Sequence, residues 1–488
     1  MIEQGDQMDI RRAKLAEVRD VLGLDPYPPR TGPVTPVASV VQAGETEVPV
    51  STAGRIRARR EHGKVLFVDI WSEGASIQAY FRKDRLPEPV WALAGLLDLG
   101  DIVRVSGGVF RTRTGELTVD VRELDLLCKS LRPLPVVKTD AFGRTFDALA
   151  DTELMYRHRS IDLLVNPDSR ARALARSRIV TALRSYLDRN GFVEAETPVL
   201  QPLYGGASAE PFTTEYLHLG ERFYLRIATE LYLKRLLAGG IDRVYELGKD
   251  FRNEGIDRTH SPEFTQLELY EAYGDYGTMM TRFEEMVGEA AEAAGTGMEV
   301  AFMGHRICLE APFARIGFVD ALREASGEDF FSWEPGALRR RCDDLGAAPG
   351  ATDRESLIDK LFDHYVTSGL VQPTFVLDYP QFLSPLAKPK PGCPGITERF
   401  EPFIAGLEMG NAFSEQNDPV LQRAILAEQA SSSAERMGEV DEDFLQALEV
   451  GMPPAGGLGI GVDRLAMVLT DASSIRDVIL FPQLRRLR

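Results

Sequence analysis

Residues 243–276 read RVYELGKDFRNEGIDRTHSPEFTQLELYEAYGDY, and their pattern decides the fold predicted for the larger part of the chain. Apolar and charged residues alternate along 244–253 and again along 264–273, while residues 255–262 between them are rich in turn formers. Alternation with a period of two is typical of strands that bury one face. The stretch therefore predicts an antiparallel hairpin with a long loop.

One face of this hairpin is predicted to carry charged and phenolic side chains. Because residues two apart on a strand share a face, Arg252 should point the same way as Glu254. By the same rule, Glu268 should point the same way as Tyr270. A solvated face with ion pairs is the simpler interpretation of such a pattern. Charged residues inside apolar runs favour instead a site for a phosphate-bearing ligand, because a guanidinium grips phosphate oxygens bidentately.

Length and composition limit the class of protein. The chain has 488 residues, of which 44% are hydrophobic and 27% are charged, and it is too long for one ordinary hydrophobic core. The longest apolar run, residues 90–97, is far too short to span a membrane, and the acidic N-terminus shows no signal-peptide pattern. Its four cysteines lie far apart without CxxC spacing, which predicts no zinc site and no disulfide framework and favours the cytoplasm.

The charge balance bears on nucleic-acid partners. A formal net charge of −18 argues against nonspecific nucleic-acid binding, because phosphate contacts need a basic surface. A local basic patch is still compatible with an RNA partner. Such a patch is predicted in the N-terminal third, at Arg55, Arg57, Arg59, Arg60 and Lys64.

The N-terminal third also shows a repeated strand pattern. A short helix is predicted at residues 9–23, and five strand-like runs follow, at residues 48–58, 64–71, 75–82, 102–110 and 116–127. A helix-like segment at 90–97 interrupts them. Five short strands with one helical interruption indicate a small OB-type barrel, a fold that often presents a sheet face to single-stranded nucleic acid. The segment RPLP at 132–135 then marks a linker.

Several motifs resemble one enzyme family. FRNEG (251–255), followed by THSPEF (259–264) and LELYEAY (267–273), resembles motif 2 of class II aminoacyl-tRNA synthetases and, within them, the lysyl-tRNA synthetases. GFVEAETPVLQP (191–202) and GGLGIGVDRLAMVL (456–469) are similar to motifs 1 and 3. AGRIRARREHGKVLFVDIW (53–71) is similar to the family's anticodon-binding domain. The resemblance therefore runs through nearly the whole chain in the family's order.

This resemblance implies an α+β, multidomain fold. An N-terminal helix and OB-type β-barrel would occupy residues 1–134, and a catalytic domain with an antiparallel sheet flanked by helices would occupy 135–488. Helical stripes suggest an insertion in the catalytic domain at about residues 305–370. Residues 139–147 look like a segment additional to the family pattern. A homodimer is implied, with Pro198 of motif 1 at its interface.

The same resemblance implies ATP-dependent activation of L-lysine and its transfer to tRNA(Lys). The lysine pocket would comprise Gly206, Glu230, Glu268, Tyr270, Asn411 and Glu415. ATP would be held by Glu254, His260, Phe264 and the two catalytic arginines, Arg252 and Arg464. The anticodon would be read by Arg60, Phe67, Gln78 and Glu116. Several carboxylates around one pocket suit a substrate with two ammonium groups, because an unpaired buried charge costs several kcal/mol.

Magnesium is the implied metal, with Glu401 and Glu408 as its carboxylate ligands. These residues pose a geometrical problem, because strict strand alternation would place Glu408 on the opposite face from Glu401. A turn or bulge near Gly406 or Gly410 is expected to resolve it.

The sequence departs from the family at three places near the expected site. Glu210 stands where an arginine is usual, TEYLHL occupies residues 214–219, and Gln416 stands where a leucine is usual. Two alternatives therefore stay open beside a lysine–tRNA ligase. One is a paralogue that adenylates lysine or an analogue for a non-tRNA acceptor, and the other is a non-catalytic tRNA-binding regulator.

Overall fold

The structure is a computed structural model that describes residues 2–135, 138–139, 145–146, 149–207, 209–347, 353–432 and 440–486. The chain divides into two compact units, Met1–Leu149 and Ala150–Arg488. The domain division predicted after residue 134 stays a prediction, because most of residues 136–148 lie outside the described part. For the same reason the additional segment predicted at 139–147 is described only at residues 139, 145 and 146.

The first unit consists mainly of strands. In chain order its elements are α1 (Ile2–Asp20), α2 (Val37–Ala43), β1 (Thr46–His62), β2 (Val65–Ser72), β3 (Ala75–Arg82), α3 (Glu88–Gly95), β4 (Ile102–Arg111), β5 (Leu117–Cys128), β6 (Lys138–Thr139) and β7 (Thr145–Phe146). All five predicted strands are present, and α3 lies at the predicted helical interruption. The first helix starts earlier than predicted and ends at Asp20; the residues before position 9 contain no proline, and the single glycine there, Gly5, does not interrupt the helix.

Strands β1 to β5 close into a barrel in the order β1-β2-β3-β5-β4, with β4 paired back to β1. The pair β3 and β5 is parallel, and the other neighbours are antiparallel. Alternate side chains point inward, as Leu66, Val68 and Ile70 of β2 do. The predicted OB-type barrel is therefore confirmed. Beside this core a fully buried lysine, Lys129, forms ion pairs of 2.6 Å with Asp98 and 2.7 Å with Asp101.

The second unit combines one large sheet with helices. Its first elements are α4 (Thr152–Arg157), α5 (Arg159–Val165), α6 (Pro167–Arg189), β8 (Val193–Glu194), β9 (Leu200–Gln201), β10 (Thr213–Tyr216), β11 (Glu221–Leu225), α7 (Glu230–Ala238), β12 (Arg243–Phe251), β13 (Glu263–Ala272), α8 (Tyr276–Ala294), β14 (Glu299–Phe302) and β15 (His305–Cys308). They are followed by β16 (Ala314–Gly317), α9 (Phe318–Ser326), α10 (Pro335–Leu345), α11 (Arg354–Tyr365), β17 (Thr374–Leu377), β18 (Arg399–Ile404), β19 (Leu407–Glu408), β20 (Gly410–Ser414), α12 (Pro419–Ser432), α13 (Glu442–Gly451), β21 (Ala455–Gly461), α14 (Val462–Leu469) and α15 (Ile475–Val478).

The large sheet has the strand order β16-β17-β18-β20-β21-β13-β12-β8, and β19 pairs with β18. Its central strands are antiparallel, as predicted, while the two edge strands β8 and β16 pair in parallel with their neighbours. Strands β12 and β13 form the hairpin predicted from residues 243–276. No helix in the described part of the chain is both long enough and apolar enough to cross a membrane.

The two faces of this sheet have different environments. Leu267 and Leu269 of β13 are buried among apolar side chains of α6, α8 and α14, including Ile179 and Leu183 of α6. Glu268 and Tyr270, one residue out of phase, line a cleft on the opposite face. The strand period thus separates a helix-covered core from a polar face.

The hairpin of β18 and β19 resolves the alternation problem. Ala405 and Gly406 connect the strands with φ angles of 52° and 72°, and two consecutive positive φ angles are the mark of a tight two-residue turn. The chain reverses there, so that Glu408 pairs with Phe403. The turn predicted near Gly406 is confirmed.

The segment between β15 and β17 contains its own hydrophobic cluster. Helices α9, α10 and α11 pack around Phe318, Leu338 and Leu361, all fully buried. The helical part starts at Phe318, later than the predicted residue 305, because residues 305–317 contain the strands β15 and β16.

Candidate active site

The polar face of the large sheet carries a cleft of about 430 Å³. Alternate residues of β13, β20 and β21 point into it, and the segment after β12, the start of α7 and the start of α14 form its sides. Every residue predicted for lysine, ATP or magnesium lines this one cleft, namely Gly206, Glu230, Arg252, Glu254, His260, Phe264, Glu268, Tyr270, Glu401, Glu408, Asn411, Glu415 and Arg464. The structure thus brings together residues that are more than 250 positions apart at the extremes, although their individual roles stay predictions.

One end of the cleft concentrates carboxylates. Glu230, Glu268 and Glu415 are all buried there, and the Tyr270 hydroxyl donates to Glu268 Oε2 at 3.3 Å. Gln266 Nε2 donates to the other Glu268 oxygen at 2.9 Å. Burial raises the pKa of Glu268 to about 8, and the nearby carboxylates contribute to that rise. Burial also raises the pKa of Glu415, while the ammonium of Lys234 at 2.5 Å opposes the increase.

Glu268 lacks the ammonium partner that Lys234 provides to Glu230 and Glu415, and burial raises the pKa of both Glu268 and Glu415 to about 8. With one ammonium among three carboxylates, the site has more negative than positive charge when the carboxylates are ionised. Such a site is suited to a ligand that brings positive charge.

Two glycines shape this carboxylate end. Gly206 has a φ of +85°, and a Cβ there would lie 3.2 Å from Ala228 and 3.4 Å from Glu230. A Cβ at Gly457 would lie 1.9 Å from Glu415 Oε1 and 2.6 Å from the Tyr270 ring. Both positions need glycine, the first for its backbone conformation and the second because two pocket side chains approach the chain directly.

Guanidinium groups also line the cleft, those of Arg252, Arg399 and Arg464. Arg252 follows β12 and lies outside the strand, so strand alternation does not explain why it points into the cleft with Glu254. Its guanidinium carbon is 5.1 Å from the centre of the Phe264 ring. In the described part of the chain the buried Arg252 Nε has no hydrogen-bond partner. Arg464 Nη1 donates to the Glu408 carbonyl at 2.6 Å, and its Nη2 lies 3.1 Å from His260 Nε2.

A further pair of carboxylates, Glu401 and Glu408, lines the same cleft. Glu401 accepts from Arg399 at 2.5 Å and from the Tyr379 hydroxyl at 2.7 Å. Burial raises the pKa of Glu401 to about 7; Arg399 opposes that rise and Glu408 adds to it. Among the described residues no group of three or more His, Cys, Asp or Glu side chains is arranged to hold a metal ion. Two carboxylates whose charges repel each other nevertheless fit a hard divalent cation whose remaining ligands are phosphate oxygens and water.

Four residues that the sequence interpretation did not single out belong to this site. Gln266, Arg399 and Asp463 line the cleft, and Lys234 lies behind Glu230 and Glu415. The period of two could have indicated Gln266 from Glu268, and Arg399 from Glu401. A spacing of four on α7 could have paired Lys234 with Glu230, whereas its contact with Glu415 depends on the tertiary fold.

Comparison with known proteins bears on this site directly. The sequence profile "tRNA synthetases class II (D, K and N)" matches residues 151–485, and the profile "OB-fold nucleic acid binding domain" matches residues 50–127. A lysine–tRNA ligase of Moorella thermoacetica is 48% identical over 99% of this chain and 98% of its own length. Similar proteins of Carboxydothermus hydrogenoformans and Chloroflexus aurantiacus, also named lysine–tRNA ligase, are 44% and 45% identical, each over 99% of both chains.

The chain belongs to the lysine–tRNA ligase family of class II tRNA synthetases. Its OB-fold unit is the family's N-terminal domain, and the cleft lies in the class II unit. The resemblance inferred from the three motifs is thereby confirmed, and so is the fold class.

The residues predicted to read the anticodon cluster on one outer face of the family's OB barrel. Arg60 and Phe67 are direct partners across β1 and β2, and Gln78 is opposite Asp69 on β3. Gln78 accepts from Thr118, which lies two residues after the exposed Glu116. Phe67 is half-buried, with its ring centre 4.9 Å from that of Tyr80. Of the predicted basic patch, Arg60 forms a two-point ion pair with Asp69, and Arg59 pairs with Glu61.

The residues predicted to depart from the family pattern lie outside the lining of the cleft. The carbonyl of Glu210 accepts from the Asn253 backbone at 2.7 Å, and its side chain is exposed. Residues 214–219 form part of the hairpin of β10 and β11, where Tyr216, Leu217 and Leu219 are exposed. Gln416 is buried and accepts from the Asp418 backbone at 2.9 Å, so it holds the chain locally.

Proposed function

We propose that this protein activates L-lysine with ATP as lysyl-adenylate and transfers the lysyl group to the 3′ end of tRNA(Lys). The observation that carries the proposal is the lining of the cleft, which combines three buried carboxylates, those of Glu230, Glu268 and Glu415, with the arginines Arg252 and Arg464. Lysine presents two ammonium groups and one carboxylate, which complement these two kinds of group. The relatives named lysine–tRNA ligase, with 43–48% identity over nearly the whole chain, support the same activity.

Adenylation needs positioning and charge stabilisation rather than a covalent enzyme intermediate. The lysine carboxylate would attack the α-phosphorus, and pyrophosphate would leave with its electron pair. Arg252 would hold the α-phosphate and the lysine carboxylate together, so that the negative charge that builds up between them is neutralised. Phe264 would stack on adenine, with Glu254 and His260 at the nucleotide and Arg464 on the γ-phosphate side.

Glu401 and Glu408 would hold Mg²⁺, which when bound neutralises and orients the phosphate oxygens. Arg399 and Tyr379 keep Glu401 in place by bonding one oxygen each. These contacts leave further lone pairs on both carboxylate oxygens for a cation.

The OB barrel supplies the proposed contact with tRNA. Phe67 would stack on an anticodon base. Gln78 and Glu116 would form hydrogen bonds with base edges, and Arg60 would pair with the negative charge of the RNA. We also propose a homodimer through motif 1, in the reducing cytoplasm. Exposed apolar side chains at Val193, Val199 and Leu200 around Pro198 support a covered surface there.

The test is a pair of half-reactions on the full chain. ATP–pyrophosphate exchange with a panel of amino acids should show strong dependence on lysine, and charging of total tRNA should then label tRNA(Lys). Exchange without charging would favour a non-tRNA acceptor. Binding of tRNA without lysine-dependent exchange would favour a regulator and overturn the proposal.

The KM for lysine is expected to fall as pH is raised from about 6.5 to about 8.5. Glu268, whose pKa is raised to about 8, must lose a proton before it can pair with an ammonium, so lysine binding releases that proton. Below this pKa the affinity for lysine should increase by up to about tenfold for each unit that the pH is raised. The pH dependence of exchange measures it, and the Glu268→Gln variant should show a higher KM that varies less with pH, the remaining dependence coming from Glu415, whose pKa is also raised to about 8. A KM that rises with pH over this range would contradict the assignment.

Phe67→Ala is expected to lower kcat/KM for tRNA charging by about 5- to 150-fold, since a base–aromatic stack contributes about 1–3 kcal/mol. Lysine-dependent exchange without tRNA should not change, because that reaction takes place in the other unit. Phe481→Ala, which truncates an exposed phenylalanine of the second unit, is the control and should leave both reactions unchanged. If exchange falls together with charging, Phe67 is needed for folding rather than for tRNA.

A further inference from the structure

The cleft contains three buried carboxylates for a substrate with only two ammonium groups. Glu230, Glu268 and Glu415 supply three negative charges when ionised, and the substrate carboxylate is already matched by Arg252 in the proposed reaction. One carboxylate would therefore stay without a cation, and a buried unpaired carboxylate is costly.

Lys234 provides the third cation. It lies on α7 one turn after Glu230, and its side chain has no solvent exposure. Its Nζ atom is 2.5 Å from Glu230 Oε1 and 2.5 Å from Glu415 Oε2, whereas Lys234 does not itself line the cleft. The rings of Phe413 and Tyr270 lie 5.1 Å and 6.0 Å from the same nitrogen. Burial alone would lower the pKa of Lys234, but the two carboxylates raise it, so the group stays an ammonium.

The Lys234 ammonium forms ion pairs with one oxygen of Glu230 and one oxygen of Glu415, and it does not pair with the second oxygen of either carboxylate. In the described part of the chain neither oxygen of the buried Glu415 accepts a hydrogen bond; Oε2 forms the ion pair with Lys234, and Oε1 has no ion pair either. This oxygen lies beside Gly457, which lines the cleft. With Oε2 held by Lys234, Glu415 cannot rotate freely, and its unpartnered oxygen keeps one direction.

We propose that Lys234 is a positioning residue for substrate selection, a resident ammonium that fixes Glu230 and Glu415 and leaves the cleft two negative charges for the two ammonium groups of lysine. This inference rests on the proposed function. It predicts that the charge of residue 234 matters for lysine binding, beyond the space that its side chain fills.

Two substitutions separate charge from volume. Lys234→Met keeps an unbranched chain of similar length and is expected to raise the KM for lysine at least about tenfold, with the KM for ATP nearly unchanged. Lys234→Ala leaves a space shaped like propylammonium, and exchange by this variant should recover on addition of propylamine but not of 1-propanol. Propylamine with the unsubstituted chain measures any inhibition by the amine itself.

Lys129→Met is the matched control, because Lys129 is equally buried between two carboxylates but belongs to the barrel. It should lower the melting temperature and leave the lysine KM unchanged. A lysine KM unaffected by Lys234→Met, or equal recovery of Lys234→Ala with propanol and propylamine, would overturn the inference and leave Lys234 a packing residue. If the unsubstituted chain shows no lysine-dependent exchange, the proposed function fails instead.

Discussion

Gly457→Ala is expected to lower kcat/KM for lysine in ATP–pyrophosphate exchange by about 100-fold or more, because a displacement of about 1 Å in a reacting site has that order of effect. The new Cβ would lie 1.9 Å from Glu415 Oε1 and 2.6 Å and 2.8 Å from two carbons of the Tyr270 ring. Both groups are buried, so neither can move away without displacing other side chains of the pocket. The KM for ATP should change much less, since the nucleotide end of the cleft is not touched.

Alanine substitutions at two other glycines serve as comparisons for Gly457→Ala. At Gly459 the nearest contact of a Cβ would be Gln266 Nε2 at 2.9 Å, the end of a side chain that can move, so Gly459→Ala should have a smaller effect. At Gly369 nothing lies within 4 Å, and Gly369→Ala should leave exchange unchanged. Equal losses in all three variants, accompanied by lower melting temperatures, would point to general destabilisation of the unit and contradict the specific clash.

Arg252→Ala is expected to reduce the rate of adenylate formation by about 100- to 1,000-fold, the loss typical when one donor to a developing negative charge is removed. Its buried Nε has no hydrogen-bond partner among the described residues, so this donor of the guanidinium is available to a ligand. The effect should appear mainly in kcat, measured by single-turnover formation of adenylate, because the charge between the two reactants develops in the transition state.

Arg252→Lys should recover only part of the rate, since an ammonium keeps the charge but not the two-pronged geometry. Arg258→Ala is the control in the same loop, where the side chain donates to the Ser473 carbonyl outside the cleft. An Arg252→Ala variant that keeps its rate but loses affinity for both substrates equally would mean that the arginine binds the ground state alone.

The elements that sequence predicted best are those in which one local rule determines the outcome. Alternation placed the five barrel strands and the β12–β13 hairpin, because a strand with one buried face must alternate whatever it packs against. The thirteen cleft residues came from motifs of one family, whose order along the chain survives in this sequence.

Local sequence rules cannot predict the role of a residue when that role depends on contacts with distant parts of the chain. Lys234 lies in a helix where a lysine would ordinarily extend into solvent, and only the approach of the chain at Glu415 makes it a buried ion-pair partner. The prediction that Arg252 points the same way as Glu254 rests on strand alternation. That reason is wrong, because β12 ends at Phe251, one residue before Arg252. The start of the helical insertion was misplaced because two short strands, β15 and β16, have too few residues to show a period.

The Ala405–Gly406 turn constrains how the length of this chain can change. Glu401 precedes the turn and Glu408 follows it, and the pairing of Glu408 with Phe403 puts both carboxylates on one side of the sheet. Inserting or deleting one residue between either carboxylate and the turn would send the two carboxylates to opposite sides, whereas a residue added inside the turn lengthens the loop and leaves the pairing intact. Working descendants of this protein should therefore keep the lengths of these two strand segments, while the turn between them is free to grow.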